Sequence, residues 1–153
     1  MNIFELILIL QIFASILMGN FALYQLCSHS IHVIAERGGE VENTLFSDVK
    51  MIYFALIGMI ELLVIIIFII SVFLIKKMIN GDNLGSMIGA MSGVNIFLFG
   101  SLYILGQLGI KYFDGLRYNP QVVKNTYIFV LASAGMIELV CLGSLGNILL
   151  NLL

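Results

Sequence analysis

Charge is scarce in this chain. Asp, Glu, Lys and Arg make up 10% of its 153 residues, and hydrophobic residues make up 61%. A soluble domain of that size could not cover its surface with so little polar material, so a soluble globular fold is excluded and lipid is the solvent. Basic runs are missing too. With a net charge of −2, no stretch has the density of Lys and Arg that marks a nucleic-acid partner or an anionic-lipid patch. Cysteine occurs only as Cys27 and Cys141. Both fall inside predicted membrane spans, where a small thiol is a packing residue and disulfide formation is unfavoured. The opening Met1-Asn2-Ile3-Phe4-Glu5 lacks the positive charge of a secretory signal, and no small-residue cleavage site follows a short apolar core, so the first span is expected to be retained. Enzyme chemistry has no foothold. No Ser/His/Asp set, Cys/His pair, metal-ligand cluster or phosphate loop occurs at suitable spacing, so neither a catalytic residue nor a bound metal or cofactor is expected.

What is abundant is long apolar sequence. Stretches free of Asp, Glu, Lys and Arg run from Leu6 to Ala35 and from Asn83 to Ile110, and two more surround single acidic residues in Met51 to Ile75 and Asn125 to Leu153. Each exceeds the ~20 residues that cross a bilayer as helix. Continuous rather than alternating hydrophobicity argues against a membrane barrel. The expected fold is all-α, with four transmembrane helices as two tandem hairpins, residues 1–77 and 78–153. The connections are expected at Glu36 to Asp48, with Gly38-Gly39, at Lys76 to Asp82, with Asn80-Gly81-Asp82, and at Lys111 to Lys124. The last holds the only proline, and Asn119-Pro120 suits a helix start, with Asn at the cap and Pro at the first helical position. Five of the seven basic residues, Arg37, Lys50, Lys111, Arg117 and Lys124, flank the first and third connections. That bias predicts those two connections on the cytoplasmic side, and both termini outside.

The chain also repeats itself. A shift of 77 residues superposes Ala55 on Ala132, and Gly58-Met59-Ile60-Glu61-Leu62 on Gly135-Met136-Ile137-Glu138-Leu139. Each match centres on the single charge of its span. Glu61 and Glu138 are predicted near the bilayer midplane, where an acidic side chain costs about 2.5 to 3.5 kcal/mol and is a functional candidate by default. A carboxylic acid in hydrocarbon keeps its proton and releases it beside water or a cation, which is the behaviour of a proton carrier. A hydrogen bond used only for packing is the competing reading for one such residue. Two in equivalent places weaken it.

Small residues mark the other two spans, at Gly85, Gly89, Gly93 and Gly100 in the third and at Ser15, Gly19 and Ala22 in the first. Spacings of three, four and seven put them on one face, where they let backbones approach, so the first and third helices are expected to be the tightly packed pair. Gln25, His29, His32 and Glu36 also share a face, read as a solvated or interface stripe rather than a metal site. Asn20 and Asn95 are read as interhelical hydrogen-bonders.

Length, four spans, the mid-helix Glu61 and Glu138 and the Arg117-Tyr118-Asn119-Pro120 connection together resemble the proteolipid c subunit of rotary ATPases, in the double-hairpin form of the V-type and archaeal-type enzymes. The likeness runs along the whole chain. It implies a homo-oligomeric ring with the first and third helices inside and the second and fourth outside. Glu61 and Glu138 would take ions from a neighbouring a/I-type stator subunit, and the ring would turn a central stalk. It also implies a prokaryotic plasma membrane or a vacuolar or endomembrane location, and no catalysis by the subunit itself.

Binding Na⁺ needs several convergent oxygens. Leu62 and Leu139 follow the two glutamates, and neither has Ser or Thr within four positions. Gln107, on the heptad line of Gly93 and Gly100, is the remaining candidate ligand, with Ser30 as its counterpart by the shift. Protons are therefore favoured over sodium. Two other classes stay open: a small secondary transporter or proton-coupled channel with a site between the halves, and a structural subunit of a membrane complex.

Overall fold

The computed structural model describes residues 3–37, 43–80 and 83–152. They form α1 (Ile3–Arg37), α2 (Asn43–Ile79), α3 (Leu84–Tyr118) and α4 (Pro120–Leu152), with no strand among the described residues. All four helices are long and apolar enough to cross a membrane. The chain is an integral, multi-pass membrane protein. Helices of 33 to 37 residues reach about 50–55 Å at ~1.5 Å per residue, well past the ~30 Å of hydrocarbon. Their ends project beyond it and can carry charge.

This length makes the connections shorter than the polar segments of the sequence suggest. The segments Glu36 to Asp48 and Lys111 to Lys124 are largely helical. α1 continues to Arg37, α2 starts at Asn43, and Asn119 alone separates α3 from α4. Between Lys111 and Tyr118 only polarity and the single Gly115 oppose helix; polarity costs nothing where a helix end meets water, and one glycine costs about 1 kcal/mol. Pro120 is what stops α3, because its ring pushes the preceding residue out of the helical region. Asn119 accordingly has φ −150 and ψ 87, and its N–H closes on the carbonyl of Gly115 at 2.8 Å. Pro120 then opens α4. At the second connection Asn83 caps α3, its side chain accepting from the N–H of Gly85 at 3.0 Å. Gly38-Gly39, Glu40, Glu42 and Gly81-Asp82 lie outside the described residues.

α1 packs most extensively on α3, and α3 on α4; α1 meets α2, α2 meets α4, and α2 also touches α3. Among the described residues α1 and α4 do not meet. The helices therefore stand at the corners of a rhomb in the order α1, α3, α4, α2, with α1/α3 as one parallel pair and α2/α4 as the other. Buried residues step by threes and fours: Leu8, Ile12, Ser15, Gly19, Ala22 and Leu26 on α1, Ile52, Leu56, Ile60, Leu63 and Ile67 on α2, and Met87, Met91, Val94, Leu98 and Leu102 on α3. That alternation is the seam of shallow-angle helix packing.

The small-residue stripes divide. On α1, Ser15 and Ala22 are buried, and Gly19 lies so close to Val64 of α2 that a Cβ would collide with its Cγ2. α3 does pack closely on α1, as expected, but not through Gly85, Gly89 or Gly100. Gly85, Gly89 and Gly100 are exposed, and a Cβ at Gly89 or Gly100 would meet nothing within 4 Å. α3 turns larger side chains inward, together with Gly109, which is wedged against Leu26 and Leu56. Lipid tails are as apolar as Leu, so hydropathy does not oblige a glycine face to turn inward.

Candidate functional site

Glu61 stands at the midpoint of α2, and Glu138 close to that of α4. One turn further on, each helix touches its hairpin partner. Val64 meets Gly19 of α1, and the Cys141 thiol sits 4.0 Å from the carbonyl of Phe97 on α3. Val64 and Cys141 are equivalent under the 77-residue shift, which carries Asn20 onto Phe97, one residue from Gly19. The two hairpins thus hold their glutamates at matching heights. Their surroundings differ. Glu61 is exposed on the outside of α2, whereas Glu138 is half-buried, with Oε1 enclosed and without a hydrogen-bond partner among the described residues.

Gln107 is half-buried on α3, further along than the Phe97–Cys141 contact, and no hydrogen bond joins it to either glutamate among the described residues. Ser30 is buried and satisfied by its own helix, donating to the carbonyls of Leu26 at 2.7 Å and Cys27 at 3.1 Å. Cys27 and Cys141 are free thiols, the second of them buried.

The strongest polar contacts join α1 to α3. Ser15 Oγ lies against Asn95 Oδ1 and 2.8 Å from the carbonyl of Gln11, and Gln11 Nε2 donates to Ser92 Oγ at 2.8 Å. Asn95 is the interhelical hydrogen-bonder expected, while Asn20 is exposed on α1. Towards the other end, His29 Nε2 lies 2.9 Å from Asp114 Oδ1. Arg117 grips both oxygens of Glu36, Nε at 3.1 Å and Nη2 at 3.4 Å, and His32 reaches Glu36 at 3.1 Å. The solvated or interface stripe is accessible and is at the same time half of an interhelical network, and His29, His32 and Gln25 border a groove of about 470 Å³. No group of three or more His, Cys, Asp or Glu gathers among the described residues.

Gln11, Ser92 and Asp114 were not singled out in the sequence as partners. The signal exists: the partners are separated by 80 to 85 residues, the repeat length plus one to two turns. Residue pairs polar at both positions of that offset would have exposed the parallel α1–α3 seam.

No protein-family description, curated protein or solved structure matches the chain.

Proposed function

We propose that this protein is a rotor-ring subunit of a V-type or archaeal-type rotary ATPase, carrying protons on Glu61 and Glu138. The observation that supports it most is the matched pair of mid-helix glutamates, each one turn before the contact that closes its hairpin. The rhomb adds support, since its α1/α3 side and α2/α4 side suit an inner and an outer layer of a ring. A carrier must meet lipid during part of its cycle, and Glu61 faces outward.

In this reading each carboxyl takes a proton from one half-channel of a stator subunit, crosses lipid neutral, and releases the proton to the other half-channel, so ion flow turns the ring. A carboxyl beside Leu, Ile and Met holds a proton without further ligands. The basic ends of α1/α2 and α3/α4 face the cytoplasm and the central stalk. The test is substitution of Gln for each glutamate, which keeps shape but cannot exchange a proton at working pH. Glu61→Gln and Glu138→Gln should each abolish proton pumping by the assembled complex while leaving assembly intact. Wild-type pumping by either variant refutes a carrier role for that residue.

A further inference from the structure

A crevice of about 470 Å³ opens between the end of α3 and the start of α4, lined by Leu108, Lys111, Tyr112, Gly115, Tyr118, Asn119, Thr126 and Val130. Its volume lies within the ~300–1,000 Å³ of small-molecule sites. Among the described residues the walls are largely apolar, with one cation and no acidic residue. Lys111 is exposed. Of the described acids at this end, Asp114 is engaged with His29 and Glu36 with Arg117 and His32, and Lys111 has no ion-pair partner among the described residues. Tyr118, mostly exposed, lines the same crevice. By contrast, the crevice between α2 and α4, lined by Ile66, Ile69, Ile70, Leu142, Leu145 and Gly146, has no polar head contact to offer.

We infer that the α3–α4 crevice is a binding site for one anionic glycerophospholipid. Its phosphate pairs with the Lys111 ammonium and accepts from the Tyr118 hydroxyl, and an acyl chain lies along Leu108 and Val130 over the space left by Gly115. A positive charge with no ion-pair partner among the described residues, at the mouth of an apolar crevice in a helix that projects from the bilayer, complements an anionic amphiphile and not a zwitterionic one. The basic run that usually advertises such a site is missing because a single lysine suffices once two helices form the walls. The site lies within one chain and does not depend on the number of copies.

The experiment is native mass spectrometry of the full-length protein released from vesicles of equal phosphatidylglycerol and phosphatidylcholine. Wild-type protein should retain one phosphatidylglycerol per chain in preference to phosphatidylcholine. Lys111→Gln should cut that preference about fivefold, Lys111→Arg should keep it, and Gly115→Leu, which fills the crevice without changing charge, should also abolish it. Lys76→Gln, at the opposite end of the bundle, should leave it unchanged, and inorganic phosphate should not displace the lipid. Equal retention of the two lipids, an unaltered preference in Lys111→Gln or Gly115→Leu, an equal loss in Lys76→Gln, or displacement by phosphate would each overturn the assignment.

Discussion

Ser15 and Asn95 show what a polar side chain does inside a membrane bundle. Without Ser15 the Asn95 Oδ1 would lose its donor, whereas the Ser15 hydroxyl could still donate to the Gln11 carbonyl, and the contact of the two side chains holds α1 and α3 at one register. Interhelical hydrogen bonds of this type average about 0.6 kcal/mol and reach about 1.7 in measured cycles. A double-mutant cycle of Ser15→Ala and Asn95→Ala, read by denaturation in mixed detergent micelles, should give a coupling in that range. A coupling indistinguishable from zero would mean that the contact does not hold the register. Arg117→Ala should do less, because the Arg117–Glu36 pair is water-accessible and exposed pairs contribute about 0–1 kcal/mol.

Among elements, the two glycine-bearing helices separate intrachain packing from any packing between copies. Gly19→Ala drives a methyl into Val64, a β-branched side chain with one favoured rotamer in a helix. Overpacking of that kind costs typically about 1–3 kcal/mol. Gly100→Ala meets open space and should leave the single chain as stable or slightly more stable, since Ala is the better helix former by about 1 kcal/mol. Unfolding midpoints of the two variants check the contrast. A larger loss in Gly100→Ala than in Gly19→Ala would mean that the exposed face of α3 is covered in the folded protein.

At the scale of the whole molecule, the outward surface is the feature with the most consequence. Phe13, Leu17, Phe68, Ile96 and Phe129 all point away from the core, so every face of the rhomb can meet lipid or a second copy. The rotor proposal requires many copies side by side, joined by a heterologous contact that closes. Protein extracted in mild detergent should therefore have the native mass of a large homo-oligomer. A monomer or dimer with no larger species removes the rotor reading and leaves the transporter alternative ahead.

Four apolar helices long enough to span, their approximate limits and the mid-helix glutamates were legible in the sequence, because hydropathy reports how long a segment stays compatible with hydrocarbon and a lone Glu stands out against it. Asn119-Pro120 was legible as a helix break for a reason local to the chain. The inward face of each helix was not. In a soluble protein the apolar side of a helix marks the core, but here Ile96 on the outside and Val94 on the inside are equally apolar, and lipid provides no contrast between them. Only the tertiary structure decided that Gly19 is buried while Gly100 is exposed, that His29 meets Asp114, and that Lys111 borders a crevice, because shape complementarity and a few hydrogen bonds choose the partner face where hydrophobicity cannot.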